Sequence, residues 1–184
     1  MLGFSPMTKV FVGSSTAAKC QAKCLMKGCA ASDIQFLPWW EQFIPGQTLL
    51  EELTRIRKTV QRAILILSPE TETEVRGYKH AIPSLNVLFE FGFFYSALGK
   101  DNVAVVRYGD IYLPSDLDGY IHITGSKHFT RGHAVSVGKR TKTEFDRWLH
   151  PHGRAPVTRA LKSPPLNRPQ RMPKPGSWMD WRNR

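Results

Sequence analysis

The run Ala63-Ile64-Leu65-Ile66-Leu67 is the feature that most constrains this chain. It is of strand length, ends at Ser68-Pro69, and offers no polar side to water. Such a segment reads as a central strand covered on both faces, the environment that a parallel sheet with flanking helices provides.

Short apolar runs and helix-length segments alternate around it. Val10-Phe11-Val12 reads as a buried strand, and Gly13-Ser14-Ser15-Thr16 suits a tight turn and a helix N-cap ahead of a helix over residues 17–30. Ile34-Gln35-Phe36-Leu37 is a second short strand closed by Pro38, leading to a loop with Trp39, Trp40, Phe43 and the turn pair Pro45-Gly46. Thr48 and Glu51 have the spacing of a capping box, and Leu49, Leu50, Leu53, Ile56 and Val60 form the apolar stripe of the helix they open. A polar loop is expected from Glu70 to about Pro83. Ser84-Leu85-Asn86 then opens a helix to Leu98 that is apolar on nearly every side, as for a helix buried by the core or by another subunit. Val103-Ala104-Val105-Val106 and Tyr120-Ile121-His122-Ile123 are the remaining strands. Thr141 to Leu149 reads as a last helix with Phe145, Trp148 and Leu149 on one side.

This βαβαβαβ…β order implies an α/β fold, a five-stranded, mostly parallel sheet with helices on both faces. Ligands of such sheets bind at the carboxyl ends of the strands near the topological switch point, which directs attention to the loops after Val12, Leu37 and Leu67.

Charge divides the chain. The net charge is +11, yet residues 1–126 hold 12 Lys/Arg and 12 Asp/Glu, so the excess lies entirely after Ser126. Seven of the 13 prolines fall between Pro151 and Pro175. The organisation expected is a lead over 1–8, one folded domain over 9–126, a peripheral segment over 127–149 containing the last helix, and a flexible basic tail over 150–184. No second foldable domain is expected after residue 150. Cys20, Cys24 and Cys29 have neither zinc-site spacing nor the even count of a disulfide framework, which suits a reducing cytosol and a cytoplasmic location. The most apolar segment, Val87 to Leu98, contains Glu90 and is shorter than the roughly 20 residues of a bilayer span. The six histidines are scattered, and no metal site is expected.

Glu90 is the most informative single residue. It stands in Val87-Leu88-Phe89-Glu90-Phe91-Gly92-Phe93-Phe94, where an unpaired carboxylate suffers a desolvation cost that raises its pKa. Either it serves a function, or it reaches solvent from a helix edge or pairs with Arg76 or Lys79. Gly13, Ser14 and Ser15 would place backbone N–H groups and two hydroxyls at a helix N-terminus, where phosphate is favoured, though a plain capped turn has the same composition. Trp39, Trp40 and Phe43 offer flat rings beside the expected switch point, for stacking on a base or nicotinamide, or for the core.

In this order, Lys9-Val10-Phe11-Val12-Gly13-Ser14-Ser15, Trp40-Glu41-Gln42-Phe43-Ile44-Pro45-Gly46-Gln47-Thr48, Ala63 to Pro69, Arg76-Gly77, Asn86-Val87-Leu88-Phe89-Glu90-Phe91-Gly92 and Leu113-Pro114-Ser115-Asp116-Leu117-Asp118-Gly119 carry a resemblance. Residues 9–125 are similar to the bacterial TIR-like domains, once described as predicted nucleotide-binding proteins, of CBASS and Pycsar antiphage effectors. Asn-Val-x-Phe-Glu-x-Gly is the most specific element. The chain departs from the family pattern at Thr16-Ala17-Ala18-Lys19, where an acidic residue usually follows the glycine-serine turn. It also has Ser84-Leu85 for the usual Arg-Asp, and Glu70-Thr71 for a frequent Asp-Asp.

The resemblance implies a flavodoxin-like, TIR-type sheet and hydrolysis of NAD+ to nicotinamide and linear or cyclic ADP-ribose. It implies Glu90 as the catalytic residue, with Gly13, Ser14, Ser15, Trp39, Trp40, Phe43 and Asn86 at the substrate, which is NAD+, and no cofactor beside it. It also implies self-assembly into a homo-oligomer and activation by a cyclic nucleotide through a sensor that is missing here or separate. A reading of another class is a non-catalytic nucleotide-binding adaptor whose tail, with eight Lys/Arg and one Asp between His150 and Arg184, binds nucleic acid.

Overall fold

The computed structural model describes residues 7–151, apart from 118, 119, 121, 134, 135 and the side chain of Asp116. The basic tail, beyond its first two positions, lies outside the described residues, as does most of the N-terminal lead.

The elements follow in the order β1 (Thr8–Ser14), α1 (Lys19–Gly28), β2 (Ile34–Pro38), α2 (Trp39–Gln42), α3 (Leu49–Ile56), β3 (Arg62–Leu67), β4 (Thr71–Val75), β5 (Tyr78–Ile82), α4 (Leu85–Leu98), β6 (Val103–Arg107), β7 (His122–Thr124) and α5 (Lys139–Leu149). Five strands form one sheet in the order β2-β1-β3-β6-β7, every neighbouring pair parallel. With the β4–β5 pair set aside, this is the flavodoxin-like 2-1-3-4-5 order, whose switch point lies between the first and third strands.

Period-two alternation sends successive side chains into two cores. Val10, Val12, Ile64, Ile66, Ala104 and Val106 pack with Ala22 and Leu25 of α1 and with Phe145, Trp148 and Leu149 of α5. Phe11, Ala63, Leu65, Leu67, Val103 and Val105 pack with Leu53 and Ile56 of α3 and with Val87, Phe91 and Phe94 of α4. The central run Ala63–Leu67 is buried at every position, as a strand covered on both faces requires.

Local signals account for the termini. Thr48 Oγ1 accepts from the Glu51 amide while the Glu51 carboxylate accepts from the Thr48 amide, completing the capping box of α3. Ser15 Oγ accepts from the Ala18 amide at 3.2 Å, so the turn after β1 is closed by its own hydroxyl before α1 begins. The aromatic loop after β2 contains the short helix α2.

One expectation needs correcting. The segment after Pro69 is not an open polar loop but an antiparallel hairpin, β4–β5, whose register runs from Thr71↔Ile82 to Val75↔Tyr78. Its two-residue turn is Arg76-Gly77, both at positive φ (53° and 80°), as the right-handed strand twist demands of a tight hairpin.

The α5 segment packs firmly. Arg62 at the start of β3 donates to the carbonyls of Trp148 (2.9 Å) and Asp101 (3.2 Å), and Trp148 Nε1 donates to the same Asp101 carbonyl at 3.1 Å. The guanidinium lies 5.2 Å from the indole centroid, adding a cation–π contact.

Candidate active site

A cleft of about 540 Å³ opens where the chain leaves β1, β2 and β3. Its walls come from the turn Ser14–Ala17, from Trp39 and Phe43 after β2, from Glu70 after β3, and from Ser84 to Glu90 at the start of α4. All three loops singled out by strand order contribute, because parallel strands deliver their following loops to one edge of the sheet.

Glu90 reaches this cleft from inside the fold. The buried residues of α4 are Val87, Glu90, Phe91 and Phe94, the i, i+3, i+4, i+7 stripe that faces the sheet, and Glu90 occupies one of those inward positions. It is 5% exposed, and its Oε2 has no hydrogen-bond partner among the described residues. Desolvation pushes its carboxyl up to about 7. It neither reaches solvent from a helix edge nor pairs with Arg76 or Lys79.

The other expected site residues divide. Ser14, Ser15, Trp39, Phe43 and Asn86 line the cleft. Trp39 Nε1 donates to Ser14 Oγ at 3.2 Å, and its ring lies 5.9 Å from that of Phe43, so the aromatic wall is tied to the turn after β1. Gly13 lies beneath the cleft, where its missing side chain leaves room for the Glu90 carboxylate. Trp40 is elsewhere: its ring packs against the α1 core, its Nε1 donates to Glu41 at 3.2 Å, and Lys19 Nζ sits 4.9 Å from its centroid. Neighbouring residues at a helix start point in different directions, and only Trp39 turns inward.

Sequence reasoning missed Leu49, Val87, Arg131 and Gly132 as lining residues. It assigned no site role to Ala17, Glu70 and Ser84, whereas all three border the cleft. Arg131 and Gly132 come from the loop after β7, more than 30 residues beyond the end of α4, and no local signal marks them.

Comparison with known proteins follows the same boundary. The family model described as CAP12/Pycsar effector protein, TIR domain, matches residues 9–127. The chain belongs to that family.

Its TIR domain is 32% identical over 123 residues to CD-NTase-associated protein 12 of Sphingobacterium faecium, covering 67% of this chain and 36% of that protein. It is 29% identical over 112 residues to CD-NTase-associated protein 12 of a Lachnospiraceae bacterium, and 32% identical over 90 residues to Protein tirC of Dictyostelium discoideum, covering 61% and 42% of this chain and 35% and 45% of those proteins. The chain thus spans about a third of the length of the CD-NTase-associated relatives it matches. Among the described residues of the TIR domain, no helix is long and apolar enough to cross a membrane.

Proposed function

We propose that this TIR domain cleaves the N-glycosidic bond of NAD+, releasing nicotinamide and linear or cyclic ADP-ribose, as an effector of antiviral defence. The observation that carries the reading is the Glu90 carboxylate, buried to 5% exposure and unpartnered at Oε2 in the wall of a cleft large enough for a nucleotide ligand.

The chemistry follows from what such a group can do. Breaking the bond from ribose to nicotinamide develops oxocarbenium-like positive charge on the sugar, and nicotinamide departs from a pyridinium without needing a proton. A single carboxylate therefore suffices. As an anion it stabilises the sugar cation and accepts hydrogen bonds from ribose hydroxyls, with most force in a site of low polarity. The substrate's own pyridinium charge favours ionisation of Glu90 when it binds, opposing the effect of burial. Trp39 and Phe43 supply flat apolar surface to hold the nicotinamide ring and exclude water.

Activation by a cyclic nucleotide signal, sensed outside this domain, and by assembly of identical domains belongs to the same proposal. On the outer side of α4, Leu85 is 69% exposed and Phe89 51% exposed, which supports a partner on that face.

The test is nicotinamide release from NAD+ by the concentrated chain, with and without Glu90→Gln. Loss of at least about a hundredfold in rate with an unchanged circular dichroism spectrum is expected, as for removal of a group acting on transition-state charge. A Glu90→Gln chain as active as the original would overturn the assignment.

A further inference from the structure

A dinucleotide brings a pyrophosphate into a cleft whose walls already carry two carboxylates, Glu70 and Glu90. Among the described lining residues, one side chain is cationic, that of Arg131. It is 71% exposed, and its Nη2 lies 3.6 Å from Glu70 Oε2, a loose contact that leaves most of the guanidinium's donors for other acceptors. Glu70 is itself poorly satisfied, since its Oε1 is buried without a hydrogen-bond partner.

The loop that carries Arg131 is tied down by α1. Gln21, fully buried, donates from Nε2 to the carbonyls of Thr130 (3.2 Å) and His133 (2.8 Å), one on each side of Arg131. The Gly132 amide donates to the Ala17 carbonyl at 3.3 Å, and Cys20 Sγ to the Gly132 carbonyl at 3.3 Å. Burying a glutamine is costly unless its polar atoms are bonded; Oε1 of Gln21 has no hydrogen-bond partner among the described residues, and both bonds from its Nε2 hold this one loop. Ser14 and Ser15 line the same cleft, and α1 begins two residues beyond the lining Ala17, so its positive dipole end adds to the field there.

We propose that Arg131, held over the cleft by the positioning residue Gln21, binds the pyrophosphate of the dinucleotide substrate, exchanging its contact with Glu70 for phosphate oxygens. This rests on the reading of the cleft as an NAD+ site. Arg131 then grips the part of the substrate that does not react, so its contribution is equal in ground and transition states and is expressed in KM and not in kcat.

The experiment has two arms on the full chain. Calorimetric titration with ADP-ribose compares the original chain with Arg131→Ala, Gln21→Leu and Lys58→Ala, the last an exposed lysine before the start of β3, at the opposite end of the strands. Steady-state nicotinamide release from NAD+ is measured on the same four proteins. Arg131→Ala should raise the Kd for ADP-ribose and the KM for NAD+ by roughly tenfold or more, the loss expected of charge-assisted hydrogen bonds, with kcat within about twofold. Gln21→Leu should shift KM in the same direction without lowering kcat, a split that general loss of structure would not produce. Lys58→Ala should change neither.

Equal affinity of Arg131→Ala and the original chain for ADP-ribose would overturn the proposal, as would an equal weakening by Lys58→Ala, the mark of net charge alone. An unshifted KM in Gln21→Leu would remove its positioning role. Binding of ADP-ribose that depends on Arg131, without any nicotinamide release, would sink the glycohydrolase reading and leave the phosphate site standing.

Discussion

The carboxylate of Glu90 on α4 lies against the bare α-carbon of Gly13 on β1: a methyl group at residue 13 would stand 2.5 Å from Glu90 Oε2 and would also overlap Leu65 Cδ1. A side chain at residue 13 would thus force both Leu65 and Glu90 to shift. Gly13→Ala should destabilise the fold by about 1–3 kcal/mol, the usual cost of overpacking, and displace Glu90 from the cleft wall. Thermal melts and nicotinamide release should fall together. An unchanged rate would mean that the position of the carboxylate does not matter.

Burial of Glu90 makes stability depend on pH in a defined sense. Its folded-state pKa is raised to about 7 from the ordinary 4.5, so between those values the native state holds a proton that the unfolded chain has lost. Stability should therefore fall as pH rises from 4.5 to 7 and then level off, with an upper bound on the order of 3 kcal/mol for this group. Glu90→Gln should remove the slope and be the more stable protein at pH 8, as seen by urea denaturation across the range. Turnover by the original chain should rise over the same interval, since the anion is the active form.

Removing the indole of Trp148 should cost about 3–5 kcal/mol, the range for deleting a large buried aromatic side chain. This residue is 5% exposed, holds the Asp101 carbonyl and stacks under Arg62, so α5 and the start of β3 loosen together. Chemical denaturation of Trp148→Ala provides the measurement, and a loss below about 1 kcal/mol would show that α5 is not integral to the core.

His150 donates its weight to acid-side stability. Its Nε2 lies 2.9 Å from Asp33 Oδ2 and its Nδ1 3.3 Å from Asp146 Oδ1, joining the end of α5 to the residue before β2. The hydrogen bond to Asp33 raises the imidazole above its ordinary 6.5, and the same bond lowers Asp33 below 3.8. The pair is therefore charged and attractive from about pH 4 to 6.5, and the stabilisation disappears as pH rises through the raised histidine pKa. His150→Gln should lose stability relative to the original chain at pH 5.5 and little at pH 8.5. The side chain is 42% exposed, so solvent screening keeps the effect modest.

Strands and helices with a clear hydrophobic period were legible, and the hairpin β4–β5 was not. Thr71-Glu72-Thr73-Glu74-Val75 does alternate β-branched residues with glutamates, but Val75 is its one apolar residue, so the run reads as polar, and Arg76 occupies the positive-φ turn position where Asn or Asp would have announced a tight hairpin. Glu90 stood out because an acid in an inward stripe breaks the pattern around it. Trp39 and Trp40 were indistinguishable, since adjacency in sequence says nothing about which ring turns toward a cleft.

From its sequence alone, this chain's parallel α/β architecture, its strand-end ligand edge and one conspicuous acid among aromatic residues could be derived, since periods of 2 and 3.6 residues and the desolvation of charge act over a few neighbouring residues. Folding decided what surrounds that acid: Glu70 and Arg131 in the same cleft wall, Gly13 beneath the carboxylate, Trp40 turned away. Those neighbours are set by which strands pair and where their loops converge, a matter of contacts between segments far apart in the chain that no local pattern encodes.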